Sequence, residues 1–142
     1  MTIYPLSQNN LSAAIELLKK NNLPTEDIRD TSSMFVLLDG NEHAGVIGIE
    51  IYGKDALLRS LCVSEERRNT GAGKKLVWFL EDMATKKSVE NLYLFTTTAT
   101  KFFEHLGYNI IHRHEVPEAI RKTKEFSYLC PSSATVLKKK LG

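Results

Sequence analysis

The sequence predicts a mixed α/β (α+β) domain, in which a mostly antiparallel sheet of about seven strands is flanked by helices. Two observations carry that expectation. First, MFVLLDGNEHAGVIGIEIYG holds two β-rich runs separated by Asp39 to His43, and the second passes through Gly53-Lys54-Asp55-Ala56 into a third run, LLRSLCV. Tight turns between such runs make three antiparallel strands. Second, LLRSLCV is followed by an amphipathic segment, KKLVWFLEDMA, and then by another β-rich run, NLYLFTTT. A strand, a helix and a strand in that order make a parallel, right-handed crossover.

The other elements follow from spacing and from terminating residues. Ile3 to Leu6 reads as a short first strand, and Ser7 to Asn10 offers capping side chains. Leu11, Ala14, Ile15 and Leu18 then repeat at helical spacing, Lys19 and Lys20 suit the helix C-terminus, and Asn22 and Pro24 stop it. Thr25 opens a shorter helical patch, TEDIRD. Beyond the crossover, Asn91 to Thr98 is a strand, and ATKFFEHLGY is a helix closed by Gly107, with Phe102, Phe103 and Leu106 at core spacing. Asn109 to Arg113 begins a further strand. Pro117 suits the first position of a short helix, PEAIRKT, and Thr135 to Leu141 gives the last strand. No repeat, linker or low-complexity tract interrupts the order, so residues 1–142 read as one domain.

Composition sets limits on function. Apolar residues make up 42% of the 142 and charged residues 25%, the balance of an ordinary globular protein, which disfavours disorder. A formal net charge of +2 is too small to argue for nucleic acid, and Lys138, Lys139 and Lys140 read as a solvated strand end. Neither a signal-peptide pattern nor an apolar run of membrane length is seen, so cytoplasmic residence is the expectation. Cys62 and Cys130 lie far apart without metal-ligand spacing and are expected to be reduced and unpaired. His112 and His114 alternate on a strand-like segment, but with no Cys or carboxylate-rich cluster beside them they read as surface histidines, and no metal is expected.

The stretch from Leu57 to Met83 organises the rest. A buried strand runs into SEERRNTGAG, and the helix begins after the glycines. A helix N-terminus carries unpaired backbone N–H groups and a partial positive charge, and glycine removes the Cβ atoms that would keep a phosphate away. The spacing is Arg68-x-x-Gly71-x-Gly73. A Walker loop would need a hydroxyl after Gly73-Lys74, and a Rossmann fingerprint would need a third glycine.

At these residues the chain resembles the GNAT acetyltransferases, whose cofactor signature is Arg or Gln, two residues, Gly, one residue, then Gly or Ala. The resemblance extends over nearly the whole chain in segment order, and ATKFFEHLGY looks like the family's second signature helix. Within the superfamily the sequence is most similar to the N-acetyltransferases of arsenic-resistance operons. Leu58-Arg59-Ser60-Leu61, Thr96-Thr97-Thr98, Phe102-Phe103 and the ending from Thr123 to Ala134 carry that likeness. The threonine and Phe-Phe features also resemble the acetyltransferase part of N-acetylglutamate synthase. The resemblance implies the acyl-CoA N-acyltransferase fold, acetyl-CoA as co-substrate, and a loop of Arg68, Asn69, Thr70, Gly71, Ala72, Gly73 and Lys74 around its pyrophosphate. It also implies that backbone groups of Leu61, Cys62 and Val63 pair with the pantetheine arm. Cys62 then needs no nucleophilic role and reads as a buried strand cysteine.

Acetyl transfer to an amine needs a held cofactor, a neutral amine, a polarised carbonyl and protonation of the departing thiolate. Many GNAT enzymes place a Glu near position 57, where this chain has Leu57, and a Tyr in the second signature helix, where it has Phe103. A Lys54-Asp55 loop would put Glu50 opposite Arg59 on one face, with Glu50 as proton acceptor and Arg59 as its orienting partner or a carboxylate receptor. A purely structural ion pair is the competing reading. Tyr108 reads as packing; Tyr128 and His105 are weaker candidates for the acid, with water as the alternative. Arg121, Thr123, Ser132 and Ser133 suit recognition of an amino-acid-like acceptor, and turn-forming roles compete for each.

The resulting expectation is direct acetyl transfer to a small amine, an amino acid or amino-acid-like toxicant. The alternatives are a non-catalytic acyl-CoA-binding module and an acetyltransferase for protein lysines or N-termini. Expected partners are the small-molecule amine, with no nucleic acid and no membrane; a homodimer is left open by the final strand.

Overall fold

The computed structural model describes residues 1–23, 25, 33–123 and 134–141. Strand β1 (Thr2–Pro5) leads into helix α1 (Gln8–Lys20), and β2 (Met34–Asp39), β3 (Glu42–Tyr52) and β4 (Asp55–Val63) follow. A 3-10 turn (Glu65–Arg67) and the glycine loop then enter helix α2 (Ala72–Lys86). After it come β5 (Asn91–Thr96), α3 (Thr100–His105), β6 (Asn109–Ile111), α4 (Glu118–Arg121) and β7 (Thr135–Lys140). The seven strands form one sheet in the order β1-β2-β3-β4-β5-β7-β6. The β1–β2, β2–β3, β5–β7 and β6–β7 pairs are antiparallel, and β4–β5 is parallel, as the crossover through α2 requires. Most of TEDIRD and the segment 124–133 lie outside the described residues.

The chain groups into two compact units. One comprises Met1–Ile49 and Ser60–Leu80, the other Glu50–Arg59 and Glu81–Gly142. In the first, Leu6, Ala14, Leu18, Met34, Val36, Val46 and Cys62 form a buried cluster, with Leu11, Leu17, Leu23 and Leu38 packed on it. The helical spacing of α1 is what delivers its leucines to this core. Gly45 permits the close seating of α2, because a Cβ there would lie 2.8 Å from Leu76 Cδ1 and 2.9 Å from the Cys62 carbonyl oxygen. In the second unit, Leu57, Tyr93, Val116, Ile120 and Val136 form the cluster, and Tyr52, Phe95 and Ile111 pack against it.

Several boundaries differ from the sequence reading by one to a few residues. Strand β5 ends at Thr96, because the Thr96 hydroxyl accepts the N–H groups of Thr98 and Ala99 and turns the chain toward α3. Pro117 stands one residue before α4 as its N-cap. The β3–β4 connection is Gly53-Lys54, not Lys54-Asp55. Gly53 adopts φ +66°, which a glycine tolerates at the first position of a two-residue hairpin turn.

Candidate functional site

The first group of candidate residues lies in the unit built on α1, β2 and the start of α2. Near the Gly53-Lys54 turn the hairpin sets Tyr52 against Asp55 and therefore, by ladder arithmetic, Ala44 against Val63. The Ala44 carbonyl instead accepts the N–H of Ser64 at 2.8 Å, so β4 carries one extra residue along the way. Ser60, at φ +60°, is the one described residue of β4 in the left-handed region and marks this bulge. Nothing in the run LLRSLCV signals it. The bulge re-aims Leu61, Cys62 and Val63 just before the loop. The parallel register of β4 with β5 covers Asp55 to Leu57, whereas β4 itself continues to Val63.

The two arginines before the glycines have different duties. Arg67 donates through Nε to Asp39 Oδ2 at 3.2 Å and through a terminal nitrogen to Glu42 Oε2 at 2.8 Å, which anchors the loop to the β2–β3 hairpin. Arg68 donates to Asn21 Oδ1 at 2.7 Å, and Asn21 in turn donates to the Leu17 carbonyl at 2.9 Å, closing the C-terminus of α1. Thr70 Oγ1 donates to the Arg67 carbonyl, so the turn is bonded internally. Asn69 and Gly71 adopt φ +65° and +85°. The first helical bond of α2 runs from the Lys75 N–H to the Gly71 carbonyl, at 3.0 Å, so the N–H groups of Ala72, Gly73 and Lys74 lie ahead of it at the helix's positive end. Beyond Gly71 and its two chain neighbours, no described atom lies within 4 Å of where a Gly71 Cβ would stand. An open, left-handed glycine before such a helix end is a chemical fit for a phosphate group.

Cys62 is buried, and burial pushes its thiol up to about 12, against smaller opposing effects of a backbone hydrogen bond at Val46 and the Arg68 charge. It is a neutral thiol, in line with a packing role. Lys74 lies on the first turn of α2 with Nζ 6.0 Å from the ring centroid of the exposed Trp78.

The second group lies in the other unit. Glu50 Oε2 accepts from Arg59 at 3.1 Å, and Glu50 Oε1 accepts from the Tyr52 hydroxyl at 2.6 Å. The corrected turn makes Leu57 the residue opposite Glu50 and puts Arg59 two positions on, on the same face, so the contact is diagonal and depends on the length of both side chains. The Arg59 side chain is 5% exposed and that of Glu50 27%, so the carboxylate is the more open end of the pair. Tyr52 was missed by sequence reading, although the alternation of a strand places it on the Glu50 face.

The remaining candidates are placed as follows. Phe103 is buried and meets Phe102 and Tyr108 edge-on at 5.1 and 5.4 Å between centroids, with no hydroxyl at that position. Tyr108 is buried and donates to Glu81 Oε2 at 2.7 Å; burial first, and the Glu81 charge next, push its phenol far above the usual range, which makes it a fixed donor. His105 is exposed at the end of α3. Arg121 is exposed at the end of α4, and Thr123 Oγ1 donates to the Ile120 carbonyl at 2.7 Å. Tyr128, Cys130, Ser132 and Ser133 lie outside the described residues. The His112 and His114 rings stack at 5.3 Å, and among the described residues no group of three or more His, Cys, Asp or Glu side chains gathers as for a metal. Among them, too, no helix is long and apolar enough to cross a membrane.

Comparison with known proteins agrees with this arrangement. The sequence profile of the Acetyltransferase (GNAT) family matches residues 5–108. An uncharacterized N-acetyltransferase of Chlorobaculum tepidum is 34% identical over 96 residues, a match that spans 67% of this chain and 59% of that relative's length. Among solved structures, N-acetylglutamate synthase from Neisseria gonorrhoeae, complexed with coenzyme A and N-acetyl-glutamate, superposes with a TM-score of 0.87 at 16% identity, over 99% of this chain and 35% of that one. An acetyltransferase of the GNAT family from Staphylococcus aureus superposes with a TM-score of 0.80 at 17% identity over 99% of both chains. The ribosomal-protein-S18-alanine N-acetyltransferase from Escherichia coli gives 0.71 at 18% identity, over 99% of this chain and 94% of that one. A profile that spans most of the chain, over the strand, loop and helix just described, establishes that this chain belongs to the GNAT acetyltransferase family.

Proposed function

We propose that this chain is an acetyl-CoA-dependent N-acetyltransferase that transfers the acetyl group directly to a small amine, with residues 1–142 acting as one catalytic domain in the cytoplasm. The observation that carries the reading is the loop from Arg68 to Lys74, where a left-handed Gly71 opens onto the first turn of α2, ahead of that helix's first hydrogen bond among the described residues. Arg68, the backbone from Asn69 to Gly73, and Lys74 would hold the pyrophosphate. Backbone groups of Leu61, Cys62 and Val63 would hold the pantetheine arm, an edge-strand role for which side-chain identity matters little. Acetyl-CoA supplies an activated thioester when bound.

Glu50 is the proposed proton acceptor for the amine, with Arg59 fixing its carboxylate. An amine with an unperturbed pKa near ~10 is mostly protonated at neutral pH, so a base beside it is required. With Phe103 in place of a hydroxyl side chain, water protonates the departing thiolate. Support for an amino acid or amino-acid-like acceptor, including an amino-acid-like toxicant, comes from the sequence resemblance; Arg121, Thr123, Ser132 and Ser133 belong to the same proposal. The protein of the Neisseria structure is named for acetylglutamate synthesis, which agrees with an amino-acid acceptor.

A second reading, a non-catalytic acyl-CoA-binding module, is favoured by one specific observation: Leu57 and Phe103, at the positions where the family resemblance would put a base and an acid, are both buried apolar side chains. The two readings separate in one experiment. Acetyl-CoA binding is measured by calorimetry, and thiol release is followed with free amino acids, aminated organoarsenicals and short peptides. Binding together with release from one small carboxylated amine establishes the enzyme; binding without release from any acceptor favours the module; no binding overturns both.

A further inference from the structure

The Glu50 carboxylate is held at both oxygens, by two donors of different kinds. Arg59 holds Oε2 at 3.1 Å, and the Tyr52 hydroxyl holds Oε1 at 2.6 Å. Both donors are themselves fixed. Arg59 is buried in β4, and the Tyr52 ring packs against the cluster of Leu57, Tyr93, Val116, Ile120 and Val136. A carboxylate with one anchored oxygen can still swing about its last side-chain torsion, which is broad and roughly two-fold. A second donor on the other oxygen removes that freedom. Glu50 and Tyr52 are also two residues apart on one strand, so the donor and acceptor share a face whatever the exact register with β4.

We infer that Tyr52 is a positioning residue for acetyl transfer: its hydroxyl clamps Oε1 of Glu50 so that the carboxylate presents a fixed lone pair to the acceptor amine. The inference rests on the proposed role of Glu50 as proton acceptor. It assigns Tyr52 no contact with substrate and no proton of its own to give. General-base catalysis demands such order, because the accepting oxygen must lie within hydrogen-bond reach of the departing proton, and displacement by about 1 Å costs up to about a hundredfold in rate. Arg59 alone cannot supply it, since a single contact from an Arg to one oxygen leaves the carboxylate plane free to turn.

The test compares the full chain with Tyr52→Phe, Glu50→Gln and the double variant. The Phe side chain keeps the ring in its apolar seat and removes only the hydroxyl. With acetyl-CoA and the best acceptor from a panel of α-amino acids and short peptides, Tyr52→Phe lowers kcat about tenfold or more and leaves KM for acetyl-CoA unchanged. In the Glu50→Gln background the same change has no further effect. Equal losses in both backgrounds, or none in the wild-type background, overturn the inference while the role of Glu50 stands. Full activity of Glu50→Gln overturns the proton-acceptor reading and the inference with it.

A second measurement needs no acceptor. Relaxation of the Glu50 side-chain carboxyl carbon in the free protein reports a restricted carboxylate in the wild type and a more mobile one in Tyr52→Phe. Carboxyl mobility that does not change on loss of the hydroxyl overturns the clamp directly.

Discussion

Lys139 places its Nζ 3.0 Å from one carboxylate oxygen of Glu81 and 3.1 Å from the other, which ties β7 to the middle of α2. The same ammonium donates to the Leu106 carbonyl at 2.8 Å and lies 5.5 Å from the Tyr108 ring centroid, while the Tyr108 hydroxyl donates to Glu81. The Glu81 side chain is 13% exposed, so these partners supply the hydrogen bonds that water would otherwise give it. The centre of the three lysines at the end of the chain is thus an internal lock.

Breaking this lock from one side leaves a charge in the interior. Lys139→Met is expected to lower the unfolding free energy by about 3 kcal/mol, and Tyr108→Phe by about 2 kcal/mol. Urea denaturation followed by circular dichroism measures both. The corresponding Lys138→Met change, at a half-buried site whose ammonium faces the Tyr93 ring at 5.7 Å, costs about 1 kcal/mol or less. Equal effects at the two lysines would refute the assignment of the lock to Lys139.

Gly45→Ala tests the seating of α2. The added methyl would meet the Cys62 carbonyl oxygen at 2.9 Å, and backbone on a central strand cannot give way as a side chain can. A loss of about 2 kcal/mol is expected. Leu76→Ala alone relieves the other contact, at 2.8 Å, and in combination it rescues only part of that loss. Thermal melting of the single and double variants reads it out.

Gly71→Ala separates folding from cofactor binding. The methyl has open space, so the cost to stability is only that of a left-handed backbone, about 1 kcal/mol. If the pyrophosphate sits against this backbone, as proposed, the methyl occupies its approach and acetyl-CoA affinity falls about tenfold or more. Calorimetry on the folded variant decides; unchanged affinity removes Gly71 from the site.

Cys62 gives a pH-dependent prediction. Its folded thiol titrates at about 12, against an ordinary value of 9.0. Below 9.0 the thiol is protonated in both states and its contribution is constant. Between 9.0 and about 12 the unfolded chain loses the proton first, so stability falls as pH rises through this window. Cys62→Ala is expected to flatten that part of the stability profile relative to wild type. In a Cys130→Ser background, Cys62 should react with a thiol reagent at neutral pH about a hundredfold more slowly in the folded than in the urea-unfolded chain.

The sequence by itself determined the order of strands and helices, the parallel crossover through α2 and the glycine loop that opens it. Alternating and helical spacings are local properties, and a glycine at a strand-to-helix turn has few other uses. The apolar identity of Leu57 and Phe103 was equally legible, because a missing hydroxyl or carboxylate is a fact of composition. Tertiary structure alone decided the rest. The turn at Gly53-Lys54 shifts the β3–β4 register by two residues and the bulge at Ser60 by one, and no local pattern in LLRSLCV distinguishes these shifts. The meeting of Glu50 with Arg59 survived the shift because both side chains are long and the two stay on one face. Tyr52 on Glu50, Arg67 on Asp39 and Glu42, and Lys139 on Glu81 are polar pairings set by which strands and helices become neighbours in space. Such pairings leave no periodic trace along the chain, since each joins side chains whose separation is fixed by packing and not by sequence.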